Sequence, residues 1–135
     1  MGLSEDFAVK LVDAPAGPLR ETLQPLWQGA LERVEAEHRL GRGGADVARD
    51  IVVAMDAVVL AIYQRAVGQA QGTHALVALG GYGRSEMAPY SDVDLLFLFK
   101  KDQDKVPEFV SGVLNPLWDM GFEVGHSSRT LAEVA

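Results

Sequence analysis

Two short apolar segments with a glycine-rich turn between them place the strongest constraint on the fold of this chain. Residues 75–79 are apolar and end at Gly80 and Gly81, as a buried strand that enters a tight turn does. Residues 92–99 begin with acidic side chains and become wholly apolar, which predicts a second strand. Apolar and polar residues alternate over 122–128, which predicts a third.

Helical patterns precede these strands. Apolar residues recur at intervals of three and four over 19–40, which predicts a helix with one buried face that includes Trp27. Pro25 marks either the first turn of this helix or a kink. After a short glycine-rich connection, Asp46 is predicted to cap a second, antiparallel helix.

Helical signals also follow the second strand. Pro107 is predicted to be the first residue of a helix that ends at Gly121 and carries Trp118 on its apolar face. Thr130 is predicted to cap a further helix, and His126 is expected to be a packed, hydrogen-bonded core residue. The predicted fold class is therefore α+β, with a small mixed sheet flanked by helices and an N-terminal helical hairpin.

Length and charge limit the function classes. The chain has 135 residues and 48% hydrophobic residues, enough for the core of one domain. Its 19 acidic and 12 basic residues give a net charge of -7, which argues against nucleic acid and anionic membranes as partners. No cysteine, secretory signal or transmembrane segment is found in the sequence, so we expect a cytoplasmic protein.

The predicted organisation has three parts. Residues 1–18 form a flexible leader, 19–70 the helical hairpin and 71–135 the core that carries the sheet. The last predicted helix has barely begun at Ala135, so we expect the core to be truncated at its C-terminus.

The turn after the first strand is a candidate anion site. Gly80 and Gly81 allow backbone amides to approach an anion closely where a helix starts, and Arg84 follows as a fork-shaped donor. The turn lacks both the dinucleotide fingerprint and the P-loop pattern. Glycines that serve only a positive φ angle are the alternative.

Asp92 and Asp94 form the second half of the candidate site. Residues i and i+2 of a strand point to the same face, roughly 6 to 7 Å apart, so both carboxylates are predicted to converge. Their mutual repulsion favours a divalent cation, and magnesium prefers such oxygen ligands. Alternatively, Asp92 caps the turn and Asp94 forms a salt bridge with Arg84.

Four segments together resemble one known family. They are GGYGR at 80–84, PYSDVDLL at 89–96, LWDMG at 117–121 and EVGHSSRT at 123–130. The first two resemble the signature of the DNA polymerase β-like nucleotidyltransferase superfamily, and the whole set is most similar to the bacterial PII uridylyltransferase family.

This resemblance implies an activity and a site. Such enzymes transfer UMP from UTP to a tyrosine of the PII signalling protein, with Mg²⁺ or Mn²⁺ assisting. By resemblance, Asp92 and Asp94 are the catalytic, metal-holding residues. The implied nucleotide-binding residues are Gly80, Gly81, Arg84 and Ser91, with the Gly81 amide directed at the triphosphate.

Several alternatives stay open at this point. The superfamily uses a third carboxylate, for which Glu123 is the only acid near the third strand, and the partner otherwise lies beyond Ala135. Without it, the chain would be a catalytically silent nucleotide-binding or PII-binding fragment. A related transferase with another nucleotide or acceptor is the remaining alternative.

Overall fold

The computed structural model describes residues 19–41, 43–83 and 92–134. By their contacts these residues form two compact units, a helical unit within 19–61 and a sheet unit made of 62–83 and 92–134. The helices are α1 (Leu19–Arg39), α2 (Gly44–Ala66), α3 (Gly80–Gly83), α4 (Pro107–Asp119) and α5 (Leu131–Val134), and the strands are β1 (His74–Leu79), β2 (Val93–Phe99) and β3 (Val124–Thr130). The predicted α+β class is confirmed, while the predicted leader lies outside the described residues.

The helical unit follows the predicted periodicity. The buried side chains of α1 recur at intervals of three and four and include Trp27, which is 4% exposed. The helix begins at Leu19 and continues through Pro25, so the first of the two alternatives for Pro25, the first turn, is wrong, and a kink stays a prediction. A proline at this interior position cannot donate to the carbonyl of Glu21, and its ring crowds that carbonyl.

The start of α2 differs from the prediction. The helix begins at Gly44, so Asp46 lies inside its first turn and is not the capping residue. Its carboxylate instead forms an exposed ion pair with Arg49 at 3.1 Å. An acidic residue in the first turn still interacts favourably with the helix dipole, which explains the cap-like sequence signal.

β2 lies between two strands that run in opposite directions. β1 pairs antiparallel with β2, from His74 opposite Phe99 to Leu79 opposite Asp94. β3 pairs parallel with β2. The odd-numbered residues of β2 are buried and its even-numbered residues are half-buried, so the two faces of the sheet have different surroundings.

The core of the sheet unit lies between α4 and the odd-numbered face of β2. The ring of Phe109 makes edge contacts with Phe97 and Phe99, at centroid distances of 5.9 and 6.4 Å. Val113 and Leu117, one and two turns further along α4, are fully buried. Helix α4 begins at Pro107 and is followed by Gly121 with a φ of 90°, as predicted.

Two aromatic side chains predicted for the core lie at its margin. Trp118 is 46% exposed, because it directly follows buried Leu117 and is turned about 100° away from it around the helix. His126 is exposed on β3, and its ring lies 5.8 Å from that of Trp118. The predictions of a core Trp118 and a core His126 are therefore wrong.

A reciprocal cap joins the end of β3 to α5, as predicted for Thr130. The Thr130 amide donates to the Glu133 carboxylate at 2.9 Å, and the Glu133 amide donates to the Thr130 hydroxyl at 3.3 Å. The ammonium group of Lys105 donates to the same carboxylate at 3.0 Å. These bonds, led by that of Lys105, lower the pKa of Glu133 to about 2.

None of the helices in the described ranges combines the length and the apolar character needed to cross a membrane.

We expect Phe109→Ala to lower the free energy of unfolding by about 3–5 kcal/mol, because Phe109 is 1% exposed and its removal leaves a cavity against β2. Urea unfolding followed by circular dichroism measures this loss. The control is Trp118→Ala, which removes a half-exposed ring and should cost about 1 kcal/mol or less. Equal losses in the two variants would contradict the described core.

We expect Glu133→Gln to be less stable than the wild-type protein above pH 4.5, and the difference to disappear as the pH falls to about 2. The folded-state pKa of about 2 lies below the ordinary value of 4.5, so the ionised carboxylate stabilises the fold only where it stays charged. The urea concentration at the midpoint of unfolding, measured for both proteins from pH 6 to pH 2, tests this expectation. A constant difference across that range would show that the charge of Glu133 contributes nothing.

Candidate active site

The glycine-rich turn begins immediately after β1. Gly80 has a φ of 60°, in the left-handed region that favours glycine, which agrees with the positive φ expected for this turn. A Cβ on Gly83 would lie 2.6 Å from the carbonyl oxygen of Ala78, so the turn folds back closely onto the end of the strand. Only glycine fits this approach without a shift of the backbone.

The two predicted carboxylates lie at the start of β2. Asp94 is the second residue of the strand and is half-buried, whereas Asp92 precedes the strand and is exposed. Asp94 belongs to the even-numbered face, opposite the aromatic core. Because Leu79 is the partner of Asp94 across the sheet, the turn at Gly80 begins one residue beyond that partner.

The carboxylate of Asp94 lies between two glycines. Its Oδ2 atom is 2.8 Å from the position that a Cβ would take on Gly80. Its Oδ1 atom would be in still closer contact with a Cβ on Gly125, the residue of β3 that pairs with Asp94. Backbone without side chains therefore flanks this carboxylate on both sides.

Neither aspartate is neutralised within the described residues. No ion pair joins Asp92 or Asp94 to a basic side chain in the ranges that the structure describes. Arg84 and Ser91 lie outside those ranges, as does the alternative salt bridge between Asp94 and Arg84. The roles predicted for these two residues stay predictions.

β3 does not supply a third carboxylate. The strand Val124–Thr130 contains no acidic residue, and Glu123 precedes it with an exposed side chain. The backbone carbonyl of Glu123 accepts a hydrogen bond from the Val93 amide at 2.9 Å, which fixes its main chain beside β2. Within the described ranges, no three histidine or acidic residues lie close enough together to hold a metal ion.

The donors at this site suit a hard divalent cation. Asp92 and Asp94 offer carboxylate oxygens only, and Mg²⁺ and Mn²⁺ prefer such ligands to nitrogen or sulfur. Mg²⁺ commonly takes one or two carboxylates and completes its shell with water and phosphate oxygens. Asp94 is half-buried and Asp92 is exposed, so both carboxylates are accessible to a cation that also carries water or phosphate ligands. These residues therefore fit the metal that the sequence predicts.

Sequence reasoning missed Gly125. The parallel pairing that places it beside Asp94 cannot be read from the sequence of either strand. A glycine inside a strand pattern does signal a close approach by another group, and that signal was present at residue 125.

Comparisons with known proteins point to one family. Residues 60–125 match the family described as nucleotidyltransferase domain. The chain is 44% identical over 112 residues to the bifunctional uridylyltransferase/uridylyl-removing enzyme of Phenylobacterium zucineum, a match that covers 75% of this chain and 12% of the relative. The proteins of the same name from Caulobacter vibrioides and Erythrobacter litoralis are each 40% identical, over 82% and 95% of this chain and 13% and 15% of theirs. The chain thus spans only a small part of these relatives.

We expect Gly80→Ala to lower the free energy of unfolding by about 1–2 kcal/mol, because alanine is strained at a φ of 60° and its Cβ would meet Asp94. Urea unfolding measures the change. Gly29→Ala is the matched control, since a Cβ at this helical position meets nothing within 4 Å and alanine favours helix. A Gly80→Ala protein as stable as the wild type would contradict the described turn.

Proposed function

We propose that this chain, which belongs to the nucleotidyltransferase family, transfers UMP from UTP to a tyrosine of the PII signalling protein and releases pyrophosphate. The observation that carries the proposal is the position of the Asp94 carboxylate, between the glycine turn after β1 and the start of β3. A carboxylate and a glycine turn side by side suit a triphosphate, because the first can hold a cation and the second offers backbone amides.

The proposed roles follow the chemistry of each group. Asp92 and Asp94 hold Mg²⁺ or Mn²⁺, which, when bound, offsets the negative charge of the phosphates. The amide of Gly81 donates to the triphosphate, next to Gly80. Arg84 and Ser91 complete the proposed nucleotide site as further donors.

The proposed transfer is a substitution at the α-phosphorus of UTP. The phenolic oxygen of the acceptor tyrosine bonds to this phosphorus, and the bond from phosphorus to the α–β bridging oxygen breaks. Pyrophosphate leaves with the bridging oxygen, and the phenolic proton passes to solvent. No covalent intermediate with the protein is needed, so the residues of the site contribute by positioning and charge.

The relatives support the choice of nucleotide. Their printed name includes uridylyltransferase, which is the basis for UMP as the transferred group. Because the chain spans 12–15% of those relatives, UTP and PII remain proposals for this chain. The net charge of -7 argues against a nucleic acid or an anionic membrane surface as the acceptor.

One observation favours a second candidate function. Among the described residues, no three histidine or acidic side chains lie close enough together to hold a metal ion, whereas the resemblance implies three carboxylates. The second candidate is therefore a binding module that holds the nucleotide without transferring it. Incubation with PII and UTP labelled at the α-phosphate separates the two, because only the transferase labels PII.

We expect Asp94→Asn to weaken UTP binding in the presence of Mg²⁺ by roughly 10-fold or more, since even changes outside the direct ligands of a metal cost that much. Calorimetric titration of UTP with and without Mg²⁺ measures the loss, and the double variant Asp92→Ala, Asp94→Ala should bind no better. The control is Glu108→Gln, which also removes one negative charge, from the exposed first turn of α4. Magnesium-dependent binding that survives in the double variant would refute the proposed site.

A further inference from the structure

We propose that Gly125 is a positioning residue, whose lack of a side chain sets the direction of the Asp94 carboxylate. This inference rests on the proposed function, because it concerns the carboxylate that the proposal assigns to the metal. Gly125 lies on β3, and its own atoms are not proposed to touch the cation or the nucleotide.

The register of the sheet places Gly125 directly beside Asp94. The two residues are partners in the parallel pairing of β2 and β3, so their side-chain directions fall on the same face. The Asp94 side chain leans toward β3 so far that its Oδ1 atom takes the space where a Cβ on Gly125 would be. Any other residue at position 125 would compete with the carboxylate for this space.

The contact is confined to the carboxylate. Among the described residues, the only atoms that a Cβ on Gly125 would meet within 4 Å, apart from its chain neighbours, are Oδ1 and Cγ of Asp94. The backbone of Gly125 is outside the left-handed region, so alanine can adopt its conformation. Gly125 is also exposed, so a methyl group there disturbs no buried packing.

An alanine at position 125 should therefore change the site and spare the fold. The atom that must move is the end of a flexible side chain, which can rotate about its own bonds while the strands stay paired. The rotation takes Oδ1 out of the gap between β2 and β3 and redirects the carboxylate. Gly80 behaves differently, because alanine is strained there by the backbone angle as well.

The experiment compares four proteins: the wild type, Gly125→Ala, Asp94→Ala and the double variant. Binding of Mn²⁺ alone is measured from the electron paramagnetic resonance signal of the free ion, and thermal unfolding is measured in parallel. We expect Gly125→Ala to bind Mn²⁺ roughly 10-fold more weakly than the wild type. Its melting temperature should stay within about 4 °C, which corresponds to a small change in stability.

The double variant tests whether Gly125 acts through Asp94. Once the carboxylate is gone, the added methyl group has nothing to displace, so the double variant should bind Mn²⁺ as Asp94→Ala does. Gly68→Ala is the matched control, because a Cβ on Gly68 meets nothing within 4 Å and its Mn²⁺ binding should equal that of the wild type.

Several results would overturn the inference. One is a Gly125→Ala protein that binds Mn²⁺ as tightly as the wild type does. Another is a double variant that binds Mn²⁺ more weakly than Asp94→Ala does. The third is a large drop in the melting temperature of Gly125→Ala, which would show that Gly125 is needed for the fold. None of these three results would contradict the proposed function. If Mn²⁺ binding depends on Gly125 but no UTP binds, the proposed function fails alone, and a wild-type protein that binds no Mn²⁺ would refute both.

Discussion

The opposite directions of the two strands that flank β2 determine which backbone segments meet beside Asp94. Antiparallel β1 ends beside the start of β2, and parallel β3 starts there too, so three backbone segments meet at one edge of the sheet. Asp94 lies at this meeting point, with the turn of Gly80 on one side and Gly125 on the other. A sheet with all strands parallel would send the end of β1, and the glycine turn with it, to the opposite edge.

The alternation of side chains along β2 places the core of the sheet unit and the proposed site on opposite faces of the strand. The odd-numbered side chains are all buried and build the aromatic and aliphatic core with α4, where both Phe97 and Phe99 contact Phe109. The even-numbered face carries Asp94 and is only half-buried. Substitutions at the two kinds of position should therefore have separable effects, on unfolding in one case and on ligand binding in the other.

Local signals predicted the fold class and several element ends, because those depend on residues close together in the sequence. Pro107 at the start of α4 and the Thr130 cap are examples that the structure confirms. The predictions for Trp118 and His126 are wrong: Trp118 is turned around the helix away from buried Leu117, and His126 is exposed beside it. The pairing of Asp94 with Gly125 could not be predicted either, because strand register depends on contacts distant in sequence.

Helix α4 connects two parallel strands and must therefore cross over one face of the sheet, and it does so on the face of Phe97. Within the sheet unit, α4 therefore covers the face of the sheet that is opposite to Asp94. Asp94 lies on the opposite face of β2, so a ligand of the proposed site would not have to pass through the layer that α4 occupies. The reacting groups of the proposed transfer would then lie on the face of the sheet that α4 does not cover.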